Sequence, residues 1–224
     1  MDHQASYLSA MAVMCFILAV KFQSNIWWFI LPIIFGISFL TKQTPTGYVF
    51  VIISVLSFIY FLFNFDLKKL ANGILGSIAI FIVFLLFIFV GKIPLTSFIE
   101  QYILFPISFG GTRAGEGFLF PLDFQRVVMR FKLIHLSWII LAFLIIKKTK
   151  DEYKYLISKE VLILLSLIGL TLSLIAHQLM TINGMYIFFL IPILTSFSHI
   201  FFYKDFKEKK SILNFLIFLV ISST

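Results

Sequence analysis

Long apolar runs follow one another along the chain and are separated by short polar segments. A segment crosses a bilayer as a helix when about 20 consecutive residues are mostly apolar, and shorter runs are extended by flanking side chains that reach the interface. With 61% hydrophobic and 12% charged residues, the 224-residue chain cannot arrange its apolar side chains around one soluble core. The sequence therefore predicts an all-α polytopic membrane protein, with residues 1–224 in a single transmembrane domain.

The apolar runs predict seven spans and a partial eighth, which is about half a bilayer long. One connection, residues 91–132, is far longer than the usual link between helices, and such loops are mostly functional or disordered. Its many aromatic residues argue against disorder, and its residues 97–105 are predicted to form a short helix in the membrane interface. The predicted spans are 6–22, 26–40, 45–63, 71–90, 133–146, 161–176, 185–202 and, in part, 212–221.

Lysine and arginine are divided unequally between alternate connections. One side receives twelve of the eighteen basic residues and the other receives six, five of which lie in or beside the 91–132 loop. Because positively charged short loops stay in the cytoplasm, the side rich in lysine is predicted to be cytoplasmic. The amino terminus, the 91–132 loop and the turn 177–184 are then predicted to face outward. The net charge of +8 has the same explanation and needs no nucleic acid partner.

Lys42 and Gln43 interrupt the apolar chain between the second and third predicted spans, in the stretch GISFLTKQTPTGYVFVIISV. A lysine and an amide at the end of two packed membrane helices are costly in lipid, so they normally face protein, water or an anionic ligand. A lysine that only anchors a helix end at the interface is the competing interpretation. The neighbouring Thr41, Thr44 and Thr46 favour a binding site, because an anchoring lysine needs no such polar turn.

The 91–132 loop contributes further candidate ligands for an anion. Arg113 stands among glycines that would let a ligand approach the backbone closely. Arg126 and Arg130 are four residues apart and share one helical face, where they either bind a phosphate headgroup or simply anchor the helix to anionic lipid. For Glu100 and Gln101, both acceptor binding and plain solvation stay open.

Histidine and cysteine give no pattern typical of a metal or redox site. The sequence contains no CxxC, no HExxH, no cluster of His, Asp and Glu at metal-ligand spacing, and no glycine-rich phosphate loop with GK[ST]. Cys15 is predicted to be a small buried apolar residue, and His135 and His199 to be structural. His177 and Gln178 either face the same outer cavity as Lys42 or, at a helix end, meet water.

The residues around Lys42 resemble a segment of a known family. GISFLTKQTPTGY is similar to the "G-l-a-f-l-t-K-q" segment of the polyprenyl-phosphate-dependent glycosyltransferases of the GT-C superfamily, which includes protein O-mannosyltransferases and lipid A aminoarabinose transferases. MDHQASYLSAMAVMCFILA resembles the stretch that opens the preceding helix in those proteins. The resemblance covers residues 2–51. It implies a multi-span enzyme of the bacterial inner membrane whose active site faces outward.

The resemblance also implies roles for individual residues. A sugar would leave a lipid-linked phosphate for a lipid, glycan or protein acceptor, with Lys42 as the cation on the phosphate, Gln43 as a hydrogen-bond donor and Arg113 as a second cation. Asp2 and His3 are implied to support the substrate or a divalent metal. The family's catalytic acid lies in an earlier outer loop. The chain is therefore expected to be a fragment that lacks this loop, and no catalytic residue is assigned within it.

Two other classes of membrane protein stay open from the sequence. A transporter or lipid flippase would also bind phosphate with lysine and arginine, although the sequence lacks the internal repeats and mid-span charges that are typical of transporters. An O-antigen polymerase or ligase would combine many spans with a large outer loop that bears arginines. In that case the 91–132 loop, and not Lys42, would be the catalytic element.

Overall fold

Helices make up 92% of the residues that the computed structural model describes, and no strand occurs among them. The described residues are 2–105, 124–151, 158–181 and 186–205. The prediction of an all-α protein is therefore confirmed for this part of the chain. The partial eighth span, 212–221, lies outside it.

Each of the seven complete predicted spans overlaps helical structure. The elements are α1 (Asp2–Phe22), α2 (Asn25–Thr41), α3 (Gln43–Phe63), α4 (Leu67–Val90), α5 (Leu95–Ile99) with a π-helical turn at Glu100–Leu104, a second π-helical turn at Gln125–Met129, α6 (Lys132–Asp151), α7 (Lys159–Thr181), a 3₁₀ turn at Tyr186–Phe189 and α8 (Leu190–Asp205). Within the described residues, α1, α3, α4 and α7 are long and apolar enough to cross a membrane, whereas α2 and α8 are shorter apolar helices. These four helices indicate a helical membrane protein.

The chemistry of the connections explains where two of the helices begin. Asp66 is the N-cap of α4, because its Oδ1 accepts hydrogen bonds from the backbone N–H groups of Lys68 (2.9 Å) and Lys69 (3.4 Å). Such N–H groups have no partner within their own helix. As a result α4 begins at Leu67, ahead of the predicted span 71–90. Lys42 has extended dihedral angles (φ −162°, ψ 130°) and separates α2 from α3.

α1 is central among the amino-terminal helices, and α4 is peripheral. α1 contacts α2, α3 and α7. Of an apolar stretch of 18 residues in each helix, 61% is buried in α1 and 6% in α4. α2 lies between α1 and α4, while α7 links this group to α6, which in turn packs against α8. Small buried residues on α1, such as Ala12 and Ala19, allow its neighbours to pack closely around it. The exposed apolar side chains of α4 suit a helix that faces lipid.

Glycines allow α2 and α4 to approach each other closely. A Cβ atom on Gly76 would lie 2.1 Å from the carbonyl oxygen of Phe29, and one on Gly36 would lie 2.3 Å from the side chain of Ile80. Small residues commonly occupy the crossing points of transmembrane helices for this reason. The contact depends on Gly76 in particular, because its neighbour is helix backbone that cannot rotate away as a side chain can.

Candidate functional site

Lys42 lies at the break between α2 and α3, as the sequence predicted from its polar neighbours. Its backbone N–H donates to the carbonyl oxygen of Ser38 (3.0 Å), and its own carbonyl oxygen accepts from Thr46 Oγ1 (2.9 Å). Thr44 also has non-helical dihedral angles (φ −106°, ψ 132°), so regular helix resumes only after it. The side chain of Lys42 is half-buried. The backbone of Lys42 is thus fixed at this end of the bundle by hydrogen bonds on both sides.

A buried cluster of hydroxyl groups adjoins Lys42 and joins three helices. Ser38 Oγ of α2 lies 2.7 Å from Thr46 Oγ1 of α3 and 3.2 Å from Ser9 Oγ of α1. Ser38 Oγ also lies within hydrogen-bond distance, 3.2 Å, of the carbonyl oxygen of Ala5. All three hydroxyls are buried. The cluster brings the first turns of α1, and with them His3, to the same end of the bundle as Lys42.

Gln43 connects this end to the segment 95–105. Its Nε2 donates to the carbonyl oxygen of Tyr102, and Tyr102 OH donates to the carbonyl oxygen of Leu40 (3.3 Å). The Tyr102 ring stacks on Phe98 (centroids 4.8 Å apart), which in turn meets Phe84 of α4 at 4.9 Å. The predicted short helix over 97–105 is therefore helical in the structure. Its location in a membrane interface stays a prediction, and one amide donor of Gln43 is used within the protein.

The end of α7 comes to the same place, and here one interpretation from the sequence is wrong. Tyr48 OH of α3 donates to Met180 Sδ (3.7 Å). Near them, His177 and Gln178 are 0% and 2% exposed, so neither simply meets water. Their burial follows from the packing of α7 against α1 and α3, which a position at a helix end does not reveal.

Several buried polar atoms at this end find no hydrogen-bond partner among the described residues. They include both amide atoms of Gln178 and the hydroxyl of Ser6 on α1. A buried polar atom without a partner costs free energy, of the order of 1–3 kcal/mol. Such atoms are an expected property of a site that a polar ligand completes. The sequence singled out Gln178 only by its position and did not single out Ser6.

The other predicted site residues are placed as follows. His3 is exposed on the first turn of α1, and Arg130 is exposed beside the turn Gln125–Met129. Glu100 and Gln101 are exposed on the segment 95–105. Arg113 and the side chains of Asp2 and Arg126 lie outside the described part of the structure. The structure therefore brings together Lys42, Gln43 and the start of α1, and it leaves the association of Arg113 with them a prediction.

His135 and Cys15 have the structural roles that the sequence predicted. Nδ1 of His135 accepts from Trp138 Nε1 (3.0 Å), so its Nε2 carries the proton and donates to the carbonyl oxygen of Val127 (2.8 Å). This pair of bonds fastens the turn Gln125–Met129 to α6. Cys15 is a buried free cysteine in α1.

At the opposite end of the bundle, the structure reveals a buried cation that the sequence assigned to a connecting loop. Lys69 belongs to the first turn of α4 and is only 7% exposed. Its Nζ lies 3.2 Å from Asp66 Oδ2 and donates to Tyr60 OH at 3.4 Å. Desolvation alone raises the pKa of the Asp66 carboxyl, but hydrogen bonds from Lys69 and from the backbone N–H groups of Lys69 and Lys68 outweigh it and lower the pKa. In the sequence, the Asp-x-x-Lys spacing was the available signal of this ion pair.

Lys69 lines one end of an apolar groove of about 920 Å³ between α2, α3 and α4. The groove exists because α2 packs against both α3 and α4 and so forms its floor, while the other two helices form its walls. Its lining is rich in aromatic residues, including Trp28, Phe35, Phe61 and Phe81. Amphipathic molecules with a long apolar part suit such a surface.

A metal site or a similarity to known proteins would each indicate a function for the chain. Within residues 2–105, 124–151, 158–181 and 186–205, no group of three or more His, Cys, Asp or Glu side chains lies close enough to hold a metal ion. Compared with known proteins, the chain matches no family model, no curated protein and no solved structure. The resemblance of residues 2–51 to GT-C glycosyltransferases therefore stays a prediction from the sequence.

Proposed function

We propose that the protein is an integral membrane glycosyltransferase, or part of one, that takes a sugar from a polyprenyl-phosphate carrier at the end of the bundle where Lys42 lies. One observation carries this proposal. The half-buried Lys42 cation shares this end with buried polar atoms of Ser6 and Gln178 that have no hydrogen-bond partner among the described residues.

The chemistry of the donor would use both kinds of group. Lys42 binds the phosphate and stabilises the negative charge that develops on it as the sugar leaves. The sugar is a dense array of hydroxyl groups, which supply donors and acceptors to buried amide and hydroxyl atoms. A bare lipid phosphate would use the cation but not these atoms. No residue of this chain is assigned as the base that activates the acceptor, and Arg113 is proposed as the second cation on the phosphate.

The proposed arrangement in the membrane has seven spans and a partial eighth, with the amino terminus and Lys42 on the outer face of a bacterial inner membrane. The 17 residues of α2 extend about 25 Å, somewhat less than the hydrocarbon core of about 30 Å. A lysine directly after such a short span reaches the interface readily.

Cysteine labelling tests this orientation. In a Cys15→Ser background, Gln4→Cys and Lys68→Cys each place one thiol at an exposed position on opposite ends of the bundle. A maleimide that cannot cross membranes should label the first variant in intact cells and the second only after lysis. The reverse pattern would contradict the proposed orientation.

Sugar transfer itself is tested with Lys42→Ala in the complete protein. Membranes that contain the protein are supplied with undecaprenyl-phosphate-linked radiolabelled sugars, and the transfer of label to membrane lipid, glycan and protein is measured. We expect the variant to lose transfer by at least about 100-fold, the size typical of removing one preorganised group that stabilises developing charge. Arg113→Glu should have a similar effect if that arginine contributes.

Lys21→Ala is the matched control, because Lys21 is an exposed lysine at a helix end and lies near the ring of Phe22 (Nζ to centroid 5.3 Å). It should transfer sugar at the parent rate, and both variants should insert equally well. Undiminished transfer by Lys42→Ala would overturn the role of Lys42. No transfer by the parent with any donor would overturn the enzymatic proposal.

A further inference from the structure

The groove between α3 and α4 is open towards the side that a membrane-embedded α4 presents to lipid. Three residues of α4 that line it, Ile74, Ile78 and Phe81, are exposed, and so is Phe58 on the facing wall. Its volume of about 920 Å³ lies within the range of roughly 300–1,000 Å³ that is usual for pockets binding small ligands. In a bilayer, an open apolar groove of this size is filled by hydrocarbon.

The end of the groove at Lys69 is chemically different from the rest. Lys69 Nζ has three N–H donors, and among the described residues only Asp66 and Tyr60 contact it as polar partners. One donor is therefore left for a ligand in the groove. The α1–α2 and α3–α4 connections at this end carry Lys21, Lys68 and Lys69 against the carboxylate of Asp66. The local charge is positive and complements an anion.

We propose that this groove binds a membrane lipid with an anionic phosphate headgroup. The phosphate accepts a hydrogen bond from Lys69 Nζ, and one hydrocarbon chain lies on α2 between α3 and α4. The hydroxyls of Ser54, Ser57 and Ser77 line the groove as well. This site is at the opposite end of the bundle from Lys42, and it does not depend on the glycosyltransferase proposal.

Trp28 provides a direct measurement, because it lines the groove and its ring lies 4.7 Å from Phe61 and 5.3 Å from Tyr60 between ring centroids. In the full chain, Trp27→Phe with Trp138→Phe leaves Trp28 as the single tryptophan. This protein is reconstituted into phosphatidylcholine vesicles that contain increasing fractions of dibrominated phosphatidylglycerol or dibrominated phosphatidylcholine. Bromine on the chain quenches tryptophan fluorescence only at short range.

We expect half-maximal quenching at a roughly fivefold lower fraction of the anionic brominated lipid, the size typical of one lysine acting on an anionic headgroup. Lys69→Gln should abolish this preference, and Lys69→Arg should retain it. Lys68→Gln is the matched control: Lys68 is exposed and does not line the groove, so the preference should persist. Ser57→Phe, which narrows the groove and leaves Lys69 intact, should reduce quenching by both lipids.

Three results would overturn the proposal. Equal quenching by the two lipids in the parent would mean that ordinary surrounding lipid fills the groove. A preference that survives in Lys69→Gln would place the headgroup elsewhere. Absence of quenching by either lipid would mean that protein covers the groove, either another segment of this chain or a second copy. Lys69→Arg keeps the test decisive even where Lys69→Gln fails to fold.

Discussion

Lys42 and Lys69 lie at opposite ends of the bundle, and their surroundings are built in different ways. Lys42 occupies a break between two helices and adjoins hydroxyl groups from α1, α2 and α3. Lys69 belongs to the first turn of α4 and pairs with Asp66 three residues earlier, with Tyr60 of α3 as a second partner. One end is assembled from distant parts of the chain, and the other is mostly local.

The difference affects how each end responds to mutations. A local cap and ion pair re-forms wherever its helix begins, so it should survive changes in helix packing. A cluster made by three helices requires all three to keep their positions. We therefore expect packing mutations at the α2–α4 crossing to change the groove and leave the Asp66–Lys69 pair intact, whereas mutations in the hydroxyl cluster should act on the Lys42 end.

The largest expected effect comes from Gly76→Ala, which separates one wall of the groove, α4, from its floor, α2. The new Cβ would lie 2.1 Å from the carbonyl oxygen of Phe29, so α4 must move away from α2. We expect a loss of about 1–3 kcal/mol in the free energy of unfolding, together with a shift in the emission of Trp28. Thermal unfolding in detergent should show a fall in Tm of roughly 2–4 °C per kcal/mol.

Gly73→Ala, one turn earlier on α4, is the matched control for that prediction. Its Cβ would lie 3.8 Å from the carbonyl oxygen of Trp28, an ordinary van der Waals contact. Replacing glycine by alanine at such a helical position should be neutral or stabilising by up to about 1 kcal/mol. Equal behaviour of the two variants would show that the close α2–α4 approach does not form in the membrane protein.

A smaller effect is expected at the other end from Ser38→Ala. This change removes the hydroxyl that lies between Ser9 and Thr46, and so weakens the contact of α1, α2 and α3. Hydrogen bonds between membrane helices contribute about 0.6 kcal/mol on average and up to about 1.7 kcal/mol, and we expect a loss within that range. Thermal unfolding and accessibility of the Lys42 turn to protease are the measurements.

Ser77→Ala is the corresponding control on α4. Ser77 is exposed, and its hydroxyl donates to the carbonyl oxygen of Gly73 within its own helix (2.9 Å). Its removal should change stability by less than about 0.5 kcal/mol. If Ser38→Ala changes stability as little as Ser77→Ala, the hydroxyl cluster does not hold the Lys42 end together.

The helices themselves were predictable because hydropathy over many residues is a strong signal. Each of the seven complete predicted spans overlaps a helix, and the Lys42 turn stood out through its polar neighbours. The beginning of α4 was predicted too late, because hydropathy counts Lys68 and Lys69 as polar and does not register that Asp66 caps a helix there.

Features that depend on contacts between helices were not predictable from the sequence. The burial of Gln178 follows from how α7 meets α1 and α3, and the groove follows from the position of α2 between α3 and α4. Tyr60 lies nine residues before Lys69, so only the fold places its hydroxyl beside the lysine. Ser6 gave no signal, since a serine in an apolar run is equally compatible with lipid, protein or a ligand.

The smallest expected effect is the pH dependence of the local pair. The pKa of Asp66 is lowered in the folded protein, so the stability it contributes is complete above the carboxyl pKa of the unfolded chain, about 3.9, and is lost as the pH falls through the lower folded value. Asp66→Asn keeps a capping side chain and removes the charge. At pH 7 its Tm should be lower than that of the parent by a few degrees at most, and below about pH 4 the difference should narrow. A difference that stays constant from pH 7 to pH 3 would mean that the Asp66 charge does not stabilise the start of α4.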